Sequence, residues 1–218
     1  MTQDDKKRAA ALAALEELEP GGIVGVGTGS TTNHFIEALA GRRELVAGAV
    51  ASSEGSAERL RGAGIRLVDL NDVESLPVYV DGADEANGER ELIKGGGGAL
   101  TREKVIASAA ECFVCIVDDS KLVKRLGVFP LPVEVLPLAV RQVSRRIATL
   151  GARPAQREGV STDNGNRILD GHGLRIDDAG QIEDLLNLIP GVVENGLFSR
   201  RRADRLLVGT GSGVKRIA

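Results

Sequence analysis

Three short segments of the sequence contain ionisable side chains that could transfer protons. Asp81 and Asp84 come directly after the apolar run 78–80, where they could anchor a ligand, carry a proton, cap the next segment or bind a metal. Lys94 precedes four glycines and offers a cation for a developing oxyanion. Glu103 lies near the start of a predicted helix, where an acid either complements the helix dipole or acts as a general base. Together these residue types indicate carboxylate and lysine chemistry.

A glycine-rich segment at 25–32 follows a short apolar strand predicted at 23–26. A strand that passes through glycines into a helix presents unpaired N–H groups and the positive end of the helix dipole, which bind anions. A dinucleotide fingerprint needs glycine at position 30, where Ser30 stands, and an ATP-binding loop needs a Gly-Lys pair that is absent. The segment therefore predicts a site for a single phosphate on a small molecule, with an ordinary strand–helix turn as the alternative.

A second glycine-rich segment follows Lys94 and runs from residue 95 to residue 98. Consecutive glycines lose more conformational entropy on folding than other residues. They are favoured where the backbone must approach a ligand closely. The run therefore indicates a second binding segment.

Metal, triad and redox chemistry have less support. The two histidines, His34 and His172, lie far from the aspartates in sequence, so a metal site would lack ligands and no nucleophilic triad is visible. We predict no metal and no cofactor. Cys112 and Cys115 have a C-x-x-C spacing, but they lie in an apolar run and are predicted to be core residues of a buried strand.

Composition disfavours several classes of partner. The chain has 218 residues and a net charge of −3, which argues against nucleic-acid binding. Aromatic residues make up 2% and tryptophan is absent, so platforms for base stacking are nearly excluded. No apolar run approaches the roughly 20 residues that span a bilayer, so we expect no membrane partner. Without an apolar signal segment, the expected location is the cytoplasm.

Apolar runs alternate with helical patterns over the first 130 residues. Strands are predicted at 23–26, 46–50, 65–68, 78–80 and 112–117. This alternation predicts an α/β fold with a doubly wound, mostly parallel, Rossmann-like sheet.

A different order follows Pro130. From 131 to 200, the order strand–helix–strand–strand–helix–strand predicts an inserted α+β ferredoxin-like domain. A last apolar strand at 205–208 would rejoin the first sheet. The predicted domains are therefore 1–130 plus 201–218, carrying the catalytic residues, and the insertion 131–200.

Five motifs occur in a fixed order along nearly the whole chain. They are VGVGTGST at 24–31, YVDGADE at 79–85, IKGGG to ALTREK at 93–104, FPLPVEV at 129–135 and TDNGN at 162–166. Together they closely resemble ribose-5-phosphate isomerase, type A. Departures are small: Gly98 stands where many members have alanine, and Ala51 precedes Ser52 and Ser53 where a longer serine run is common.

The resemblance implies an enzyme of the non-oxidative pentose phosphate pathway that interconverts D-ribose 5-phosphate and D-ribulose 5-phosphate. It also implies a metal-free homodimer or higher oligomer; we expect a homodimer. Glu103 matches the proton-abstracting residue, and the expected catalytic residues are Glu103, Asp81, Lys94 and Asp84. The implied substrate contacts are Thr28, Gly29, Ser30, Thr31, Asp81, Gly82, Ala83, Asp84, Lys94, Gly95, Gly96, Gly97 and Lys121. Whether Lys7 reaches the phosphate is left open.

Two other functions are weighed against the isomerase. A non-catalytic sugar-phosphate sensor could use the same loops, and a coupled assay for the ketose would separate the two. A nicotinamide-dependent oxidoreductase would need the fingerprint that fails at Ser30. The intact lysine, glutamate and two aspartates favour the isomerase.

Overall fold

A computed structural model describes all 218 residues. The chain forms two compact units: unit 1 comprises Met1–Ala83, Arg102–Leu122 and Ala203–Ala218, and unit 2 comprises Asp84–Thr101 and Val123–Arg202. The predicted domain boundaries at 130 and 201 remain a proposal. The helices are α1 (Gln3–Ala14), α2 (Ser30–Ala40), α3 (Glu54–Gly62), α4 (Leu100–Ala109), α5 (Val140–Thr149) and α6 (Ala179–Asn187).

Thirteen strands complete the regular structure. The first six are β1 (Gly22–Val26), β2 (Val46–Ala51), β3 (Leu76–Asp81), β4 (Glu85–Ala86), β5 (Leu92–Ile93) and β6 (Ala110–Asp118). The others are β7 (Leu131–Val135), β8 (Arg153–Gln156), β9 (Arg167–His172), β10 (Val192–Asn195), β11 (Leu197–Phe198), β12 (Arg205–Thr210) and β13 (Gly213–Ile217).

Unit 1 contains a six-stranded sheet in the order β13-β12-β6-β3-β1-β2. All neighbouring pairs are parallel except β12 and β13. The predicted mostly parallel, Rossmann-like sheet is therefore confirmed. The direction of winding reverses between β1 and β3, and in such sheets ligands bind outside the carboxyl ends of the strands at this reversal.

Helix α1 packs directly on this sheet because both surfaces are small. Its buried face consists of Ala10, Ala11 and Ala14. A Cβ atom on Gly209 of β12 would lie 1.9 Å from the backbone oxygen of Lys6, so only glycine allows this approach. Thr2 and Asp5 form a capping box that begins the helix.

One predicted strand of unit 1 was wrong, and one strand was missed. The segment 65–68 contributes only a single parallel bridge, between Leu67 and Ala49. The reason is local: the Asp69 side chain accepts the N–H of Asn71 and starts a 3₁₀ turn, which takes the chain away from the sheet. The missed strand, β13, is an antiparallel edge strand that folds back on β12.

Unit 2 contains the predicted α+β insertion. Its sheet has the order β10-β7-β9-β8 with every neighbouring pair antiparallel, which is the ferredoxin-like arrangement. Val143 and Ile147 of α5 and Leu186 of α6 are buried in the same apolar core as Val133 and Val135 of the sheet. A second, three-stranded sheet, β11-β5-β4, was not predicted because its strands have only two residues each.

A buried carboxylate organises the TDNGN segment of unit 2. Glu134 of β7 is fully buried. Its Oε1 atom accepts hydrogen bonds from Thr162 Oγ1 at 2.8 Å, Asn164 Nδ2 at 3.1 Å and Asn166 Nδ2 at 2.8 Å. Thr101 donates to the other carboxylate oxygen. The loop 162–166 and the start of α4 are therefore tied to one acid.

Glu134→Ala should lower the free energy of unfolding by about 3–5 kcal/mol, because several buried donors lose their common acceptor. Chemical denaturation measures the loss. Glu158→Ala is the control, since Glu158 is exposed on the same unit and should change stability by less than about 0.5 kcal/mol. Equal stability of the two variants would contradict this role of Glu134.

Candidate active site

Asp81, the last residue of β3, lies at the point where the winding of the unit 1 sheet reverses. Its side chain is fully buried. Oδ1 accepts the N–H of Thr28 at 3.0 Å, the N–H of Gly82 at 2.7 Å and the hydroxyl of Thr32 at 3.3 Å. Three donors on one oxygen fix the orientation of the carboxylate.

The glycine at position 27 makes room for this carboxylate. A Cβ atom built on Gly27 would lie 1.8 Å from the carboxyl carbon of Asp81, so any side chain there would displace the acid. The N–H of Gly27 also continues the ladder to Val80 O at 2.9 Å. The glycine loop after β1 therefore has a steric function in addition to the predicted anion binding.

Tyr79 connects Asp81 with Glu103. The Tyr79 hydroxyl donates to Asp81 Oδ2, and the Tyr79 side chain is fully buried and stacks against Phe113. Burial raises the pKa of the Tyr79 hydroxyl well above its ordinary value of 10.0, and the negative charges of Asp81 and Glu103 raise it further. Both acids therefore lie within electrostatic range of one phenol, and Glu103 is itself buried.

The N-terminus of α2 presents backbone donors. Gly29 precedes the helix with φ of +128° and has no side chain to cap it. The first helical hydrogen bond runs from Asn33 N to Gly29 O, so the preceding N–H groups of Ser30, Thr31 and Thr32 have no partner within the helix. Lys7 Nζ lies 3.0 Å from Ser30 Oγ. The structure thus brings the Lys7 ammonium to the predicted anion site.

A cluster of hydroxyl groups beside Thr28 was not among the predicted site residues. Thr28 Oγ1 lies 2.8 Å from Ser52 Oγ and 2.7 Å from Ser53 Oγ. Ser56 donates to the Gly27 carbonyl at 2.6 Å. The available signal was three buried serines immediately after β2, the neighbour of β1 in the sheet.

Lys121 follows the carboxyl end of β6, the strand beside β3. Asp118 ends β6 and is buried; burial alone would raise its pKa, but hydrogen bonds from Ser120 and Gln3 and the positive charge of Lys7 outweigh burial and lower it. The 3₁₀ turn Asp119–Lys121 comes next, with Asp119 paired to Lys6 at 2.8 Å. Lys121 thus lies in the turn that leaves this edge of the sheet.

Unit 2 holds the other predicted site residues, Asp84 and Lys94–Gly97. Asp84 Oδ2 accepts the N–H of Gly96 at 2.7 Å. Lys94 is buried, with Nζ 5.5 Å from the centre of the Phe198 ring. Gly95 has φ of +109° and Gly98 has φ of +79°, backbone conformations that favour glycine.

Each unit therefore brings together its own subset of the predicted residues. Unit 1 contains Thr28, Gly29, Ser30, Thr31, Asp81, Gly82, Ala83, Glu103 and Lys121. No group of three or more His, Cys, Asp or Glu side chains is placed to hold a metal ion. None of the helices is both long enough and apolar enough to cross a membrane.

The reversed winding and the uncapped helix define an α/β protein built to bind a small anionic ligand at the edge of a parallel sheet. A family model described as ribose 5-phosphate isomerase A (phosphoriboisomerase A) matches residues 48–213. The chain belongs to this family.

Solved structures extend the match to the whole chain. Ribose 5-phosphate isomerase A from Neisseria gonorrhoeae is 50% identical, with a TM-score of 0.97 over 99% of this chain and 97% of that one. The enzyme from Methanocaldococcus jannaschii is 42% identical, with a TM-score of 0.94 over 99% of both chains. A D-ribose-5-phosphate isomerase in complex with phospho-erythronic acid is 39% identical, with a TM-score of 0.94 over 99% of both chains.

The raised pKa of Tyr79 gives a spectroscopic prediction, because Tyr79 is the only tyrosine and the chain lacks tryptophan. Tyrosinate absorbance should be absent from the native protein at pH 10, where an unfolded tyrosine is half ionised, and should appear on unfolding. Above pH 10 the unfolded state binds fewer protons than the native state, so the free energy of unfolding should fall by up to about 1.4 kcal/mol per pH unit.

Tyr79→Phe is the control, since it removes the titrating group and keeps the ring. Above pH 10, the free energy of unfolding should fall less steeply in this variant than in the wild type, by up to about 1.4 kcal/mol per pH unit. Tyrosinate absorbance near pH 10 in the folded wild type would contradict the assignment.

Proposed function

We propose that the protein interconverts D-ribose 5-phosphate and D-ribulose 5-phosphate. The observation that carries this proposal is the 39% identity over 99% of the chain to an isomerase in complex with phospho-erythronic acid. That compound has a phosphate at one end and a planar carboxylate at the other. The two carboxylate oxygens have the shape and charge of a 1,2-enediolate, the intermediate of an aldose–ketose isomerisation.

The substrate phosphate is assigned to the N-terminus of α2. Ser30 and Thr31 offer backbone N–H groups and hydroxyls there, and the helix dipole favours a dianion. Lys7 lies within hydrogen-bond distance of Ser30 and would add a positive charge. Lys121 is assigned a further contact with the substrate on the family resemblance.

The proton transfers are assigned to the two acids that flank Tyr79. Asp81 takes the hydroxyl proton of the cyclic sugar and relays it as the ring opens. Glu103 then removes the C2 proton of the open aldose, which leaves an enediolate and a protonated Glu103. As a proton moves from O2 to O1, Glu103 returns its proton to C1 and the ketose forms. Both carboxylates are buried, and the exclusion of bulk water strengthens their electrostatic interactions with the reacting atoms.

Lys94 and Asp84 are assigned to the oxygens of the enediolate, Lys94 to stabilise their charge and Asp84 to orient a hydroxyl. Gly95, Gly96 and Gly97 are assigned as backbone contacts. Lys94 supplies a buried cation. Asp84, held by the N–H of Gly96, orients a substrate hydroxyl. Stabilisation of an oxyanion by one donor accounts for on the order of 10²–10³ in rate.

Glu103→Gln should lower kcat by about 10²–10⁴, because the amide cannot accept the C2 proton. Binding of phospho-erythronic acid, measured by calorimetry, should be retained. The control is Glu58→Gln, on the exposed face of α3, which should leave kcat unchanged. Near-normal turnover of Glu103→Gln would remove Glu103 from this role.

Turnover in heavy water gives an independent test of the enediolate. Because the carboxyl proton of Glu103 can exchange with solvent before its return, deuterium should appear at C1 of the ketose, and NMR spectroscopy detects it. Full retention of the substrate hydrogen from C2 would indicate a hydride shift instead.

The non-catalytic sensor is not favoured, because Asp81, Asp84, Lys94 and Glu103 are all present in a chain that matches isomerases end to end. We also propose that the protein is a homodimer in the non-oxidative pentose phosphate pathway, on the family resemblance. The proposed location is the cytoplasm.

A further inference from the structure

The glycine run of unit 2 is held by an arginine distant in sequence. Arg157 Nη1 donates to the carbonyl of Gly95 at 3.1 Å and to that of Gly96 at 3.0 Å. The rest of the guanidinium forms a bidentate pair with Asp170, with Nε at 2.9 Å and Nη2 at 2.6 Å from the carboxylate oxygens. One guanidinium thus connects two consecutive peptide groups to a carboxylate.

The base of this contact is rigid. Arg157 directly follows β8, and its N–H donates to Ile168 O on β9 at 2.9 Å. Asp170 also lies on β9. The Arg157 and Asp170 side chains are only 20% and 18% exposed, so their ion pair is partly desolvated and geometrically fixed. The ferredoxin-like sheet therefore supplies a fixed anchor.

The anchored segment depends on such support. Gly95 and Gly98 both have positive φ, and a glycine run loses much conformational entropy when it becomes ordered. A single backbone bond, Gly98 N to Gly95 O, closes the turn at 2.9 Å. The 95–96 peptide is held by this bond and by the bond from Gly96 N–H to Asp84 as well as by Arg157, whereas the 96–97 peptide is held by the bond from Arg157 to Gly96 O.

The two bonds from Arg157 determine where the neighbouring N–H groups point. In a trans peptide the carbonyl and the N–H point in opposite directions. With the Gly95 carbonyl on Arg157, the N–H of Gly96 points away from it and donates to Asp84. With the Gly96 carbonyl on Arg157, the N–H of Gly97 must likewise point away, and Gly97 is exposed. Arg157 thus orients an available donor and the carboxylate of Asp84.

We propose that Arg157, held by Asp170, is a positioning residue for the substrate-binding glycine run. It touches no reacting atom. It sets the peptide planes so that Gly97 N–H and the Asp84 carboxylate are in place before the sugar binds. The role of the run in binding substrate rests on the proposed function.

Arg157→Lys keeps the charge but loses the planar fork that serves two carbonyls and a carboxylate at once. We expect kcat/KM to fall about tenfold, mainly through a higher KM, because binding must now order the loop. Asp170→Asn should also lower kcat/KM, again mainly through a higher KM. The double variant should lose little more than Arg157→Lys alone, since the two residues act as one unit. The matched control is Arg175→Lys, which alters an exposed arginine paired to Asp177 on the same unit and should leave KM unchanged.

Amide hydrogen exchange separates this proposal from the proposed function, because it needs no turnover. Exchange at Gly96, whose N–H donates to Asp84, should be faster in Arg157→Lys and in Asp170→Asn than in the wild type and in Arg175→Lys. A wild type without isomerase activity would refute the proposed function. The exchange result would then still decide whether Arg157 holds the glycine run. Unchanged exchange at Gly96, or an unchanged KM with only a lower Tm in an active enzyme, would overturn the positioning role.

Discussion

The carboxylate of Asp81 occupies the space that a side chain on Gly27, directly after the neighbouring strand β1, would fill. Gly27 has no Cβ, and Asp81 places its carboxyl group there. The acid is thereby buried at the reversal of the sheet, where it accepts hydrogen bonds from the N–H groups of Thr28 and Gly82. The need for glycine after β1 and the position of the buried acid both depend on this one fit.

In unit 2, too, segments without regular secondary structure are ordered by a largely buried ionisable group that has several hydrogen-bond partners. Glu134 gathers the polar side chains of the loop 162–166. Arg157 gathers the carbonyls of the glycine run. A buried donor or acceptor without its partner is unfavourable. Glu134 and Arg157 therefore each favour the one conformation of their segment in which these hydrogen bonds form. These two segments of unit 2 are thus held by one acid on the ferredoxin-like sheet and by one arginine that directly follows its strand β8.

Prediction from the sequence succeeded where a pattern is local. Alternating strands and helices indicated the parallel sheet, and the order of elements after Pro130 indicated the ferredoxin-like arrangement, because hydrophobic periodicity reports which faces are buried. It failed at 65–68, where an apolar run makes only one bridge because the Asp69 turn follows at once. It also missed β4, β5 and β11, since strands of two residues have no period to detect.

The chemistry of the site divides in the same way. Residue types and their order indicated Asp81, Asp84, Lys94 and Glu103 as candidates, and the five motifs, each contiguous in sequence, indicated the family. The contacts of Thr28 with Ser52 and Ser53, of Tyr79 with Asp81, and of Arg157 with Gly95 and Gly96 were settled only by the folded chain. These partners are separated in sequence or meet across neighbouring strands. A hydrogen bond depends on distances of a few tenths of an ångström, which follow from how strands and loops pack in three dimensions.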